Sequence, residues 1–143
     1  IKVCKLRTGL VLSPDGGVLS ELAKPARLGM GSAFGSGLQS QSWIHIHDMA
    51  EIYAFAIKNE LEGIYNAVAP NPVTNKTLTR QIATVLSKPY FMPNVPTPIL
   101  KLMLGEMHYL LVASQNVSAF KILAEGFEFK FSRLDEALVD LLK

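Results

Sequence analysis

The sequence predicts an α/β domain with a parallel sheet, joined to a smaller and mostly helical lobe. Three observations predict it. Short runs of β-branched and aliphatic residues at 1–12, 42–46 and 63–69 alternate with stretches whose apolar residues recur at helical spacing. Each run ends in Gly, Pro, Asn or Asp turn chemistry. Beyond residue 89 helical stripes dominate, which places the boundary between residues 1–89 and 90–143.

Residues 1–12 (IKVCKLRTGLVL) read as a buried strand, closed by the Ser-Pro-Asp-Gly-Gly turn that follows. Arg7 is the one charge in its more apolar second half. Leu19, Leu22, Ala23 and Ala26 then sketch a short helix, disturbed at Pro25, which has no N–H to donate. Arg27 leads into the Gly-rich loop GMGSAFGSG. Residues 42–46 form a second strand, and Asp48 followed by Glu51 has the spacing of a capping box. Met49, Ile52, Tyr53, Ala56 and Ile57 are the buried stripe expected of the helix behind it.

Residues 63–69 (GIYNAVA) are a third strand, ended by Pro70-Asn71-Pro72. Thr74 or Asn75 should cap the next helix, with Leu78, Ile82, Val85 and Leu86 inward and an end before Pro89. Thr97 and Pro98 start another helix through Ile99, Leu100, Met103 and Leu104. A helix over 118–125 stops at Gly126. Phe127, Phe129 and Phe131 alternate with Glu128 and Lys130 as a half-buried strand would. Ser132 is the expected cap of the closing helix, whose inward residues are Leu134, Leu138, Leu141 and Leu142.

Composition excludes several classes. The net charge is +2, from 14 Lys and Arg against 12 Asp and Glu, scattered singly. That leaves no basic stripe for nucleic acid and no polybasic patch for a membrane surface. Mean hydropathy is +0.24, yet no uncharged apolar run reaches the ~18 residues a membrane span needs. Cys4 is the single cysteine, so no disulfide framework can form and a cytoplasmic location is expected. No signal peptide is legible. The chain opens at Ile1 inside a strand-like run and reads as a piece of a longer protein.

Polar residues able to do chemistry concentrate at 35–53, GSGLQSQSWIHIHDMAEIY. The preceding loop has Gly29, Gly31 and Gly35 at the wrong spacing for a dinucleotide fingerprint, and it follows a helix where the fingerprint follows a strand. A loop covering a ligand is the better reading. His45 and His47 share one face of their strand, because side chains alternate, and Asp48 could add a carboxylate for a metal. A metal needs further ligands, and the only other histidine is His108 in the terminal lobe. No serine sits in a G-x-S-x-G elbow. Arg7, Arg27, Gln39, Gln41, Trp43 and His45 remain as candidates to bind a polar, anionic or ring-bearing small molecule.

The runs LRTGLVLSPDGG, PARLGMGSAFGSG, SWIHIHDMAEIYAFAI, GIYNAVAPNPVTN, PTPILKLMLGEM and EGFEFKFSRLDEAL, in this order, carry a resemblance. The chain resembles the C-terminal half of atypical, extended short-chain dehydrogenase/reductases of the nucleoside-diphosphate-sugar epimerase family, with their C-terminal domain of unknown function. The resemblance implies part of an extended Rossmann fold with a substrate lobe, and NADP as cofactor. It implies that Gly9, Leu10 and Val11 touch the nicotinamide end, mainly through backbone, and that residues 27–48 face a small-molecule substrate of the nucleotide-sugar kind. The glycine fingerprint and the Tyr-x-x-x-Lys pair of that family are absent from this sequence. The segment alone is therefore expected to be inactive, since hydride chemistry needs a cofactor positioned against its substrate. Two other readings stay open: a non-catalytic NADP-binding or assembly protein of the same fold, and a metal-dependent hydrolase using His45, His47 and Asp48. A strand pair lacking sheet neighbours would leave edges free to pair two copies into a homodimer.

Overall fold

At Gly9 the first strand changes partner, and the sheet is organised around that change. The structure is a computed structural model describing residues 1–143. Strand β1 (Cys4–Thr8) pairs in parallel with β5 (Gly63–Ala67), in the register Leu6 to Tyr65. After Gly9 the chain continues as β2 (Leu10–Leu12), now paired in parallel with β4 (Trp43–His45). The fork is closed by two backbone bonds: the Leu10 N–H donates to the Ser42 carbonyl at 2.8 Å, and the Ala69 N–H to the Trp43 carbonyl at 2.7 Å. Residues 42–43 thus wedge between the continuations of β1 and β5. Only glycine fits at position 9, because a Cβ there would lie 2.3 Å from the Ser42 oxygen.

The run at 1–12 is therefore two short strands where one was expected, and β1 is only half-buried, with Lys5, Arg7 and Thr8 exposed. It has β5 on one side and no partner on the other. A parallel strand is fully covered only when both edges and both faces have neighbours.

Helix α1 (Gly17–Arg27) runs through Pro25 and buries Val18, Leu19, Leu22, Ala23 and Ala26. The proline falls in its last turn, so the one i−4 bond it removes lies near the helix end. The loop after it leads to β3 (Ser40–Gln41), which pairs antiparallel with β6 (Val73–Thr74). Helix α2 (Ile46–Lys58) starts three residues earlier than the sequence suggests. Its N-cap is His45, whose Nδ1 accepts the His47 N–H at 2.9 Å. Asp48 is no cap, and Glu51 is exposed. The buried face of α2 is Asp48, Ile52 and Ala56, with Met49 and Phe55 packed at its edge. Tyr53 and Ile57, expected inside, are exposed. With Cys4, Leu6, Ala56 and Leu61 they border an open apolar concavity beside the unpaired edge of β1.

Helix α3 (Asn75–Val85) is capped by Thr74, whose Oγ1 accepts the Thr77 N–H at 3.1 Å. Helix α4 (Thr97–Leu104) ends at Gly105, and a 3-10 turn (Gly105–Met107) leads into the short α5 (His108–Val112). Helix α6 (Phe120–Ala124) stops at Gly126, which has φ 96°. Helix α7 (Leu134–Leu142) closes the chain with Arg133 at its N-cap. Ser132 is not the cap: its carbonyl accepts from Asn71 instead.

The segment 127–131 keeps the alternating burial that the three phenylalanines suggest but pairs with no strand. The carboxylate of Asp48, 1% exposed, takes the place of a neighbouring strand. Its two oxygens accept the N–H groups of Lys130 and Phe131, each at 2.9 Å. The main core packs α1, α3 and α7 together with Leu10, Leu12, Trp43, Leu100 and Leu111, so it draws on both sides of residue 90. A smaller cluster under α2 joins Ile44, Tyr65, Ile122 and Phe127.

Candidate functional site

The fork at Gly9 opens a groove at the carboxyl ends of β1 and β5, the end where α/β sheets place their ligands. Thr8, Gly9, Leu10 and Val11 form one wall of a cavity of about 250 Å³, faced by Val18 of α1 and by Met107, Leu110 and Gln115. A second concavity of about 300 Å³ adjoins it, shares Thr8 and Gln115, and adds Arg7 and Asn66. Arg7 and Asn66 stand opposite each other across the β1–β5 pair, so both project from the same face. Arg7 makes no ion pair. The groove is thus a short stretch of strand backbone edged by one guanidinium, one hydroxyl and two side-chain amides.

The other candidates in 27–48 point elsewhere. Arg27 is exposed at the end of α1, outside the groove. Gln39 donates through Nε2 to the carbonyls of Phe34 (3.0 Å) and Leu111 (2.7 Å). Gln41, 2% exposed, donates to the carbonyl of Ala113 at 3.2 Å. Trp43 is fully buried, its indole N–H on the carbonyl of Asn71 at 2.9 Å. His45 lies flat on Phe131 with ring centroids 3.9 Å apart. Since its Nδ1 accepts from His47, its Nε2 carries the proton and donates to Asp140 of α7 at 2.8 Å. Together these four side chains staple the loop, β3 and β4 to the end of α5, the 70–72 turn and α7. The loop's own amides are used as well: Phe34 N–H bonds Asn75 Oδ1 and Gly35 N–H bonds the Val95 carbonyl. Such a loop has those amides turned inward, away from any phosphate.

The donors do not suit a metal. His45 spends both ring nitrogens within the fold, Asp48 spends both oxygens on backbone, and no three His, Cys, Asp or Glu side chains gather in ligating range. The hydrolase reading loses its ligands to structural duties. Thr8, Asn66 and Gln115 are groove residues that the sequence does not mark. Asn66 lies mid-strand and Gln115 in an irregular segment, and only tertiary contact brings them beside Arg7.

One titration is perturbed. Tyr65 is pushed above its ordinary value, first by donating its hydroxyl to the Glu125 carboxylate at 2.8 Å, then by burial and by the neighbouring negative charge. Lys121 sits over its ring, 4.3 Å from the centroid. This is a tie between β5 and α6, away from the groove.

The architecture defines the class first: an α/β fold of the Rossmann-type epimerases. The chain superposes on the crystal structure of human epimerase family protein SDR39U1 (isoform 2) with NADPH at a TM-score of 0.89, with 32% identity, covering 98% of this chain and 48% of that one. On a Corynebacterium glutamicum nucleoside-diphosphate sugar epimerase the TM-score is 0.76 at 30% identity, covering 99% of this chain and 26% of that one. In sequence it is 37% identical over 139 residues to the epimerase family protein SDR39U1 of Mus musculus, covering 96% of this chain and 47% of the relative. Residues 95–141 match the model of a domain of unknown function, DUF1731. In sequence and fold the chain is similar to the C-terminal part of an extended short-chain dehydrogenase/reductase of the epimerase family. It spans about half the length of the curated relatives it matches. No helix is long and apolar enough to cross a membrane.

Proposed function

We propose that this chain supplies the substrate-side half of an NADP-dependent epimerase or reductase, acting by reversible hydride transfer at a carbinol carbon of a small molecule in the cytoplasm. The observation that carries the reading is the groove at the Gly9 fork. It offers bare strand backbone at the carboxyl end of the parallel pair, in a fold superposing at 0.89 on an NADPH-bound structure. The residues present fit one end of a dinucleotide. Thr8, Gly9, Leu10 and Val11 would lie along the nicotinamide end, with Gln115 across from them. Bound there, the cofactor supplies the hydride carrier. Arg7 at the rim would orient an anionic or polar group of the substrate. Gln39, Gln41, Trp43 and His45 serve by fixing the wall behind it, while Arg27 lies outside the groove.

These 143 residues contain neither a phosphate-cradling glycine turn at a strand end nor a Tyr-x-x-x-Lys pair. We therefore expect no turnover from the chain alone. The apolar concavity of Tyr53, Ile57, Cys4 and Leu6 beside the free β1 edge would be covered by the remaining half of the fold or by a second copy.

The test is a chimera in which this chain replaces the corresponding half of the human NADPH-bound relative. NADPH fluorescence should saturate with the chimera and show no turnover with the chain alone. A chimera that is folded by circular dichroism yet does not bind NADPH, or an isolated chain that oxidises it, would overturn the reading.

A further inference from the structure

A further cavity, about 490 Å³, lies one turn further along α1, with Leu22 in it where Val18 lines the groove. Its walls are Met30 and Phe34 of the Gly-rich loop, Met92 and Pro93, and Ile99, Leu100 and Met103 of α4. Met30, Met92, Ile99 and Met103 are all substantially exposed, so they form an apolar rim that no other part of the chain covers. Thioether side chains adapt their shape to an apolar guest at little cost.

The charge pattern says what that guest is. Lys24 and Glu21 are the only charged residues on the lining, and they are paired with each other. The backbone donors at the nearby helix starts are used as well. The N–H groups of Ile99 and Leu100 both turn back to the Pro96 carbonyl, and Pro98 has none. At the start of α3 the N–H groups of Asn75, Lys76 and Thr77 are bonded to Gln39, Gly37 and Thr74. The Thr79 hydroxyl is spent on Tyr90 and on carbonyls of its own helix. A diphosphate would find no unpaired cation and no free helix terminus here. Two polar side chains remain on the lining: Asn94, exposed and donating to the carbonyls of Gly35 and Ser36, and Ser32, 7% exposed, whose hydroxyl makes no hydrogen bond within the chain.

We propose that this cavity binds a neutral, mainly apolar small molecule of about bicyclic size, held by the Met and Ile rim and anchored through one polar atom on Ser32. The proposal deepens the function above and rests on it only for calling that molecule the substrate. It makes the substrate an apolar alcohol or ketone in place of a nucleotide sugar.

The test uses the 143-residue chain with methionine methyls labelled in carbon-13, and two probes, 2-naphthol and UDP-glucose. The five methionines divide into Met30, Met92 and Met103 on the cavity and Met49 and Met107 off it. Naphthol should shift the first three saturably and leave the other two, while UDP-glucose should shift none. Ile99→Glu at the exposed rim should weaken naphthol at least tenfold and Ser32→Ala about threefold or more, both with the unliganded spectrum kept. Saturable binding of UDP-glucose to the three cavity methyls, uniform shifts of all five with naphthol, or no saturation by naphthol would each overturn the proposal. Those outcomes leave the NADPH reading standing, because it is read from cofactor fluorescence at the Gly9 groove of the chimera.

Discussion

Replacing Asp48 tests the tertiary logic most directly. Its carboxylate is buried and accepts two backbone N–H bonds, from Lys130 and Phe131. Hydrogen bonds to a charged group contribute about 1.5–3 kcal/mol each, and a buried donor left without a partner costs a comparable amount. Asp48→Ala orphans both donors and should destabilise the chain by about 3–5 kcal/mol. Asp48→Asn keeps one carbonyl acceptor and turns a second donor toward the other N–H, for about half that loss. A capping box would predict differently: about 1 kcal/mol for Asp48→Ala and a measurable loss for Glu51→Ala. In this fold Glu51 is exposed and makes no such bond, so Glu51→Ala should stay within about 0.5 kcal/mol. The assay is urea unfolding followed by Trp43, the single and fully buried tryptophan. Amide exchange should accelerate selectively at Lys130 and Phe131. A cost near 1 kcal/mol for Asp48→Ala, or equal costs for Asp48→Ala and Glu51→Ala, would refute the clamp.

Two further outcomes follow from single contacts. Gly9→Ala should lower stability by about 3 kcal/mol through overpacking at the fork, where the new Cβ meets the Ser42 carbonyl; a urea midpoint unchanged from wild type would show that β4 does not wedge there. Tyr65 has its titration raised in the folded state, so its contribution is fully present below the unfolded value of 10.0 and is lost as pH climbs from there through the folded value. Stability should therefore fall more steeply above pH 10 in the wild type than in Tyr65→Phe, and parallel profiles would break the Tyr65–Glu125 assignment.

Much of the secondary structure was legible in the sequence because it is a local matter. Thr74 caps α3, Gly126 stops α6, and the stripes Leu19–Leu22–Ala26 and Leu78–Ile82–Val85 turn inward as their spacing requires. The errors share one cause, a polar or aromatic pattern whose partner lies far along the chain. Asp48 fits an N-cap by its neighbours, but its partners are 82 and 83 residues away. Phe127, Phe129 and Phe131 alternate like a strand, yet the N–H groups of Lys130 and Phe131 go to the Asp48 carboxylate and no strand pairs with them. Tyr53 and Ile57 satisfy the helical period of α2 and face outward, because burial depends on what packs opposite.

The candidate site divides in the same way. The residues at Gly9, Leu10 and Val11 could be proposed from the sequence runs that carry the family resemblance, and Arg7 from its charge in an apolar strand. That Gln41, Trp43 and His45 end on the carbonyls of Ala113 and Asn71 and on Asp140 is decided by how α5, the 70–72 turn and α7 fold back. Sequence determined the alternation of strands and helices, the turn glycines and the inward faces of most helices, since these follow from neighbours within a few residues. Tertiary structure alone decided that β1 and β2 take different partners across Gly9, that Asp48 stands in for a strand, and that a nearly chargeless cavity forms between the Gly-rich loop and α4. Each of these depends on groups from distant segments meeting in space, which no local pattern records.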